Sequence, residues 1–212
     1  MNKFFTIFLL FFSVISLGAI DLTIRYRDGS SRVFQYDDNA ERLVFRHGTL
    51  IVAIDGIEQF KNLKDIRFEM TSYIGDYNFL RSLDTVEVLL FETMFISDIS
   101  FIYEMASLKR LILQGFRTDT KLIDASRLPN LEYFEFTNSQ LTEFPLLIKN
   151  KQNVDTINIA YNRISNIPID ESMEILVIAV GNPINYTNNR NIITGTEGTF
   201  FLLPEKYRQY VQ

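Results

Sequence analysis

The chain has 212 residues, no cysteine, a formal net charge of -5 and a hydrophobic content of 47%, which fits one globular domain with a buried core. The lack of cysteine excludes disulfides, thiolate nucleophiles and cysteine-ligated zinc. The acidic balance lacks the basic stripe that binding to nucleic acid needs.

Residues 1–19 are predicted to be a cleavable signal peptide. A positive start, Met1-Asn2-Lys3, precedes an apolar run from Phe4 to Leu17 and then two small residues, Gly18 and Ala19, the order typical of secretory signals. The run is short for a bilayer span. An uncleaved membrane anchor is the alternative, because Leu17 is large for a position three residues before a cut. Export together with the absence of disulfides favours a bacterial periplasm, cell surface or secreted location.

Residues 20–53 are predicted to form an antiparallel β cap. Leu22, Ile24 and Tyr26 alternate with polar residues before an Asp28-Gly29 turn, and Phe34 and Tyr36 continue on one face. The segment from Leu43 to Ile54 contains His47-Gly48, which predicts a second hairpin turn.

Residues 54–184 contain a repeat of about 23 residues, with copies that begin at 63, 86, 108, 131 and 154. The clearest copy is Val154-x-x-Ile157-x-Ile159-x-x-Asn162-x-Ile164, and a shorter last copy runs from Val177 through Asn182 to Ile184. A single unit of this length cannot bury its own apolar residues, so the copies are expected to stack.

This frame resembles that of the leucine-rich-repeat family, L-x-x-L-x-L-x-x-N-x-L. The apolar residues at every third position from Ile96 to Leu108 resemble the short repeats of bacterial internalin-type proteins. The resemblance implies an α/β leucine-rich-repeat solenoid, with a curved parallel sheet on the concave face and short 3-10, helical or extended returns on the convex face. It also implies an asparagine ladder, filled by Asn162 and Asn182, which hydrogen-bonds backbone groups of neighbouring turns. Thr71 and Ser139 are expected to replace asparagine in part, whereas Met94 and Phe116 cannot.

Alternation within the strands predicts which side chains face the partner. Leu89 and Leu111 are expected to face the core, and Leu90 and Ile112 the concave solvent side. The predicted partner-binding residues on that side are Arg67, Val88, Leu90, Glu92, Arg110, Ile112, Tyr133, Glu135 and Asn158. An apolar centre with charged neighbours is typical of a protein-binding site. Two alternatives stay open: cover by the N-terminal hairpins or a chain end, and a one-residue slip in the strand at 86–91.

Residues 185–212 leave the repeat frame, and their apolar stretches, Phe200 to Leu203 and Tyr207 to Val211, are expected to cover the C-terminal end of the stack. Repeat stacks need such caps at both ends.

The sequence contains few residues that could form an active site. The only histidine, His47, is predicted to lie in a turn, and the adjacent Asp37 and Asp38 precede Asn39 in a loop. Calcium loops and phosphate-binding glycine loops are absent from the sequence. We therefore predict a non-enzymatic module that binds a protein partner, with no cofactor, metal or small-molecule substrate. The alternative is a structural envelope protein that uses the same face for self-assembly or permanent subunit contacts.

Overall fold

The computed structural model describes residues 18–46, 51–70, 77–92, 96, 98–116, 123–124, 127–144, 146–147, 154–167, 175–184, 192–194 and 200–202. Several predictions fall on residues outside these ranges: the signal segment 1–17, the turn at His47-Gly48, Thr71, Met94 and most of 185–212. In the described part of the chain no helix has the length and apolar character needed to cross a membrane.

Fourteen strands and three 3-10 helices are present in the described residues. The strands are β1 (Ala19–Tyr26), β2 (Ser31–Asp37), β3 (Arg42–Arg46), β4 (Ile51–Asp55), β5 (Asp65–Glu69), β6 (Val88–Glu92), β7 (Arg110–Gln114), β8 (Ile123–Asp124), β9 (Tyr133–Thr137), β10 (Leu146–Leu147), β11 (Thr156–Asn158), β12 (Leu176–Ile178), β13 (Ile192–Thr194) and β14 (Phe200–Leu202). The 3-10 helices are Ile57–Gln59, Asn78–Ser82 and Ser100–Glu104.

The main sheet has nine strands in the order β13-β14-β12-β11-β9-β7-β6-β5-β3. From β3 to β12 neighbouring strands are parallel and pair in the register of the repeat, so that Leu89 lies opposite both Ile66 and Leu111. This pairing removes the register alternative for the strand at 86–91. One strand per repeat, stacked in order, is the parallel solenoid that the sequence predicts.

The core lies behind this sheet and is continuous along the stack. The inward strand positions are all buried: Ile66, Phe68, Leu89, Phe91, Leu111, Leu113, Phe134, Phe136, Ile157, Ile159, Val177 and Ala179. Phe91 stacks on Phe68 of the preceding repeat, with ring centroids 5.1 Å apart. Each repeat therefore completes its core with side chains of its neighbours, which is why one copy cannot fold alone.

The return segments explain the apolar residues at every third position. A 3-10 helix has three residues per turn, so residues three apart lie on one side of it. Ile99, Ile102, Met105 and Leu108 are buried accordingly, and Ile57 and Leu80 hold the equivalent place in the two preceding returns. Later returns contain β8 and β10, which pair in parallel.

A row of alternating charge precedes the strands. Glu41, Lys64, Glu87, Lys109 and Glu132 occupy one position of successive repeats, and each backbone N–H from Lys64 onward donates to the carbonyl of the residue before it in the row. Lys64 also pairs with Glu41 at 2.8 Å, and Lys109 with Glu87 at 3.0 Å. Such exposed pairs contribute little stability, but a shift by one residue would separate the opposite charges.

The N-terminal region differs from the prediction. β1, β2 and β4 form an antiparallel sheet in the order β2-β1-β4, but the hairpin predicted on either side of His47-Gly48 is wrong. β3 instead pairs in parallel with β5, with Leu43 opposite Ile66 and Phe45 opposite Phe68.

The physical reason is that β3 carries the repeat pattern itself. Leu43 and Phe45 are buried inward positions, and Arg42 lies opposite Asp65, with which it forms an ion pair. A copy of the repeat thus begins at Ala40, upstream of the predicted start. β4 lies within the return of this copy and pairs with β1.

At the other end of the sheet, β14 pairs with β12 in the antiparallel sense, with Ile178 opposite Phe201, and β13 pairs with β14. The edge of the last parallel strand is therefore covered by a segment of the predicted C-terminal cap.

Candidate functional site: the outward strand face

The outward strand face is the side of the main sheet away from the core. Its three columns consist of the following residues, read from β5 to β12: first Asp65, Val88, Arg110, Tyr133, Thr156 and Leu176; then Arg67, Leu90, Ile112, Glu135, Asn158 and Ile178; and last Glu69, Glu92, Gln114, Thr137, Ala160 and Val180. The pairing register places the residues of the first two columns opposite one another across the ladder. All nine residues proposed for partner binding lie on this face.

The apolar centre is less open than the sequence suggests. Leu90 and Ile112 are neighbours across the ladder and face outward, yet each is only 8% exposed. Neighbouring strands are about 4.8 Å apart, so outward side chains in adjacent strands cover one another. The expectation that Leu90 and Ile112 face solvent freely therefore needs correction: they form the floor of the face, and their neighbours form its accessible surface.

Arg110 and Tyr133 are the accessible residues beside this floor. Arg110 is exposed and Tyr133 is partly exposed, and they lie opposite one another on β7 and β9. The Arg110 guanidinium carbon is 4.5 Å from the centroid of the Tyr133 ring, which is a cation–π contact. The pair presents a flat, partly apolar cation that can contact a partner.

Glu135 is nearly buried beside this pair. Its Oε1 accepts hydrogen bonds from Gln114 Nε2 at 2.6 Å and Thr137 Oγ1 at 3.1 Å, and its Oε2 accepts one from the Tyr133 hydroxyl at 2.6 Å. The carboxylate is thus held by three donors, which offset the loss of water around it. Glu135 fixes the Tyr133 ring, while its own oxygens are already occupied by donors of the chain.

The pKa of Tyr133 is raised to about 12. Desolvation is the largest cause, because it disfavours the phenolate, and the hydrogen bond and negative charge of Glu135 add to it. Tyr133 is consequently neutral at physiological pH and donates a hydrogen bond to Glu135.

The N-terminal part of the face is dominated by ion pairs. Asp65 is nearly buried and accepts from Arg42 Nε at 2.7 Å and from Arg67 Nε at 2.9 Å. The hydrogen bond to Asp65 raises the pKa of Arg67. Arg46 pairs with Glu69 at 2.6 Å on the neighbouring column. Arg67, which we predicted to bind a partner, is therefore already neutralised within the chain.

The C-terminal part of the face is more polar near β11 and more apolar at β12. The Asn158 Oδ1 accepts a hydrogen bond from the Ala160 N–H at 3.2 Å, and Asn158 and Thr156 are partly exposed. Leu176 and Ile178 on β12 are also partly exposed. This end of the face differs from the Arg110–Tyr133 region in having no ionised side chain on β11 or β12.

Asn162 and Asn182 make the backbone hydrogen bonds that the sequence implies. Asn162 donates to the carbonyl of Phe136 at 2.6 Å, and its Oδ1 accepts from the N–H of Ser139 at 3.0 Å. Asn182 donates to the carbonyl of Ile159 at 2.8 Å, and its Oδ1 accepts from the N–H of Ile164 at 3.0 Å. Each asparagine thus joins its own repeat to the preceding one.

Ser139 acts in the same way one repeat earlier. Its hydroxyl accepts from the N–H of Phe116 at 3.0 Å and donates to the carbonyl of Thr137 at 2.8 Å. Phe116 itself is buried in the core and contacts the Phe136 ring at a centroid distance of 5.8 Å. The ladder therefore covers the last repeats and gives way to aromatic packing before them.

From β5 onward, every described residue that immediately precedes the asparagine position has a left-handed backbone. Met70, Gly115, Asn138, Tyr161 and Gly181 have φ between 50° and 71°. This conformation turns the chain out of the sheet, and it is costly for residues other than glycine and asparagine. A Cβ at Gly181 would lie 2.7 Å from Tyr161 Cδ1, so the tyrosine ring lies directly on the glycine.

The architecture follows from three features together: the parallel ladder with one strand per repeat, the return segments with 3-10 helices, and the asparagine hydrogen bonds. The fold is that of a leucine-rich-repeat solenoid. Its class and its antiparallel N-terminal cap are as predicted, with β3 as an additional strand of the solenoid.

Two solved structures similar to this solenoid are internalins of Listeria monocytogenes strain 4b F2365. The first matches 73% of this chain and 52% of its own at 20% identity and a TM-score of 0.49, so the chain spans about half its length. The second, internalin C2, matches 73% of this chain and 74% of its own at 19% identity and a TM-score of 0.45. No protein-family model matches the sequence, and no curated protein matches it either.

Among the residues that the structure describes, no group of three or more His, Asp or Glu side chains is arranged to hold a metal ion. The Asp37 carboxylate instead accepts the Asn39 backbone N–H at 2.9 Å in the predicted loop. The sequence predicted Glu135 as a residue of this face but not its bonds to Gln114 and Thr137. The sequence signal for these bonds was a glutamate that has hydrogen-bond donors nearby on its own strand and on the adjacent strand.

Proposed function

We propose that this solenoid is an exported, non-enzymatic interaction module that binds a protein partner on the outward strand face, centred on Arg110 and Tyr133. The observation that carries the proposal is the cation–π pair of these two residues beside the nearly buried Leu90 and Ile112 of the same sheet face. Tyrosine and arginine next to apolar residues, with polar residues around them, are the composition of energetic centres in protein interfaces.

The rigidity of the pair supports the same proposal. Tyr133 is held by Glu135, and Glu135 by Gln114 and Thr137, so the ring is ordered before a partner arrives. Binding then loses little side-chain entropy, which raises affinity for a given contact area. Val88 and Glu92 on the neighbouring strand are partly exposed and extend the surface with one apolar and one acidic side chain.

Photo-crosslinking in the native host tests the face directly. A photoreactive amino acid is placed at Arg110 or Thr156 on the outward face, and at Glu104 or Ser82, exposed on the return side, as matched controls. We expect one discrete adduct from the face positions and none from the controls. An adduct with a second copy of the chain would instead support a self-assembling structural protein, and equal labelling from both sides would contradict the proposal.

Export is proposed on the composition of residues 1–19 alone. Amino-terminal sequencing of protein from the native host is expected to show a start near residue 19 or 20 in an extracytoplasmic fraction. An intact Met1 in the cytosolic fraction would contradict export without affecting the outward face.

A further inference from the structure

The outer strand of the N-terminal sheet, β2, is exposed along nearly its whole length. Val33 is 60% exposed and Phe34 is 36% exposed, on opposite faces of the strand. Natural sheets protect such edges with proline, charged side chains or bulges; Ser31–Asp37 contains no proline, and its charged residues, Arg32 and Asp37, lie near its two ends. β2 is also terminal in its sheet, so in the described part of the chain one edge of it has no neighbouring strand.

The hydrogen bonds at the two ends of β1 and β2 establish which backbone groups point to that free edge. The Tyr26 N–H donates to the Ser30 carbonyl at 2.9 Å, and the Asp38 N–H donates to the Gly18 carbonyl at 2.9 Å. Both fit the register in which Leu22 lies opposite Phe34.

In an antiparallel pair every second residue bonds its partner, and those between point away. Even-numbered residues of β2 therefore bond β1. The N–H and C=O groups of Ser31, Val33 and Gln35 point outward. The Asp37 carbonyl, also on the outward side, is occupied by the Ala40 N–H at 3.0 Å.

These free groups are symmetric about Val33. If β2 pairs with an antiparallel copy of itself centred there, Val33 meets Val33 of the second copy, and Ser31 meets Gln35 at either end. Each directly opposed pair exchanges two hydrogen bonds, so three pairs use every free group, about six bonds in all. The same register places Arg32 opposite Phe34 of the second copy, where a guanidinium can lie over the ring.

We propose that two copies of this chain associate edge to edge through β2, antiparallel and centred on Val33, to form a reversible twofold dimer. The occupant of the edge is a second copy because the spacing of the free groups is self-complementary and the side-chain pairs are apolar–apolar and cation–aromatic, with no like charges opposed. A single shared strand edge is a small interface, which implies weak, concentration-dependent association. The proposed dimer contact uses no residue of the outward strand face.

The test is sedimentation of the full chain over roughly the micromolar to millimolar range, where a weak dimer forms. The apparent mass of the wild type is expected to rise with concentration. V33K opposes two introduced ammonium groups across the twofold axis, which destabilises a cross-strand pair, and should weaken association by at least about tenfold. Q35K adds the same charge on the same strand but opposes it to Ser31, so it should change association by less than about threefold.

Sedimentation of a mixture of V33K and V33E provides the decisive test of the register. Each variant alone should associate at least about tenfold more weakly than wild type, and the mixture should recover association, because a lysine then faces a glutamate. The wild-type chain contains no cysteine, so V33C adds a single thiol, and opposed Cα atoms about 5.5 Å apart permit a disulfide across the axis. Q35C should not form one, since the two positions would be roughly 13 Å apart along the strands.

A wild-type mass that does not change with concentration would overturn the proposal, and would mean that a segment of the same chain or another partner covers β2. Association that survives V33K unchanged would also overturn it, because it would then arise elsewhere, for instance from the apolar segment at residues 4–17.

Discussion

The Tyr133 hydroxyl donates a hydrogen bond to Glu135 Oε2 at 2.6 Å, between two residues that lie two positions apart on the outward side of one strand. This bond connects the exposed surface of the face to its buried carboxylate. It holds a ring that Arg110 covers on one side, and it makes the order of the face sensitive to the protonation of Tyr133.

That sensitivity predicts a loss of stability in alkali. The pKa of Tyr133 is about 12 in the folded chain and about 10 when unfolded, so the folded state holds the proton more tightly. The stabilisation is complete below about pH 10 and falls as pH rises towards 12. Chemical unfolding at pH 8, 10 and 11 should show a steeper decline for wild type than for Y133F. Parallel declines in both proteins would contradict the raised pKa of Tyr133.

Alanine substitutions at two adjacent residues of β7, Arg110 and Leu111, should have very different effects on stability. Leu111 is fully buried, and L111A should cost on the order of 2–5 kcal/mol of unfolding free energy. Arg110 is exposed, and R110A should cost about 1 kcal/mol or less, the value of an exposed cation–π contact. Urea unfolding of both variants tests this prediction, and comparable losses would show that Arg110 is a structural residue. Ile112 would not serve as the exposed residue in this comparison, because it is nearly buried and lies opposite Glu135.

Truncation of Asn162 should cost more than truncation of Ser139. N162A removes the donor to the Phe136 carbonyl and the acceptor for two backbone N–H groups, of Ser139 and Leu141. Each buried group left without a partner costs about 1–3 kcal/mol. S139A removes one such acceptor, that of the Phe116 N–H, so its loss should be roughly half or less. Thermal unfolding gives the order, and a larger effect of S139A would contradict the ladder described above.

Gly181→Ala tests the left-handed turn before the asparagine position. The φ of Gly181 is 71°, and an L-residue there costs about 1–2 kcal/mol. The added Cβ would also lie against the Tyr161 ring, but that side chain is 64% exposed and can swing aside. Unfolding free energy should fall by about 1–2 kcal/mol. A loss well above 3 kcal/mol would mean that the tyrosine ring is fixed, and G181A combined with Y161A separates the two causes.

Much of the solenoid was predictable because each repeat encodes the same local geometry several times. The spacing of Leu108, Leu111 and Leu113 predicted both the strand and its inward face, and their equivalents in the next repeat, Leu131, Phe134 and Phe136, repeat the pattern. The asparagine positions followed from the same frame. The candidate face was predictable in position, since alternation decides which side chains point outward.

The errors arose where a property depends on which strands become neighbours. Alternation in Leu43 to Phe45 is compatible with a hairpin or a parallel ladder, and only the pairing of β3 with β5 distinguishes them. The exposure of Ile112 likewise depends on side chains from adjacent strands, which are distant in sequence. The three donors around Glu135 come from two strands, so their convergence required the register as well as the alternation.

The sequence by itself determined the period and the inward residues, because these follow from backbone geometry repeated every 22 or 23 residues. The role of the asparagine positions came from the resemblance to leucine-rich repeats. The tertiary structure alone decided that β3 is a strand of the solenoid, that Leu90 and Ile112 are nearly buried although they face outward, and that no strand among the described residues pairs with the outer edge of β2. The physical reason is that burial and hydrogen-bond partners belong to pairs of strands, and a side-chain pattern within one strand does not specify its partner.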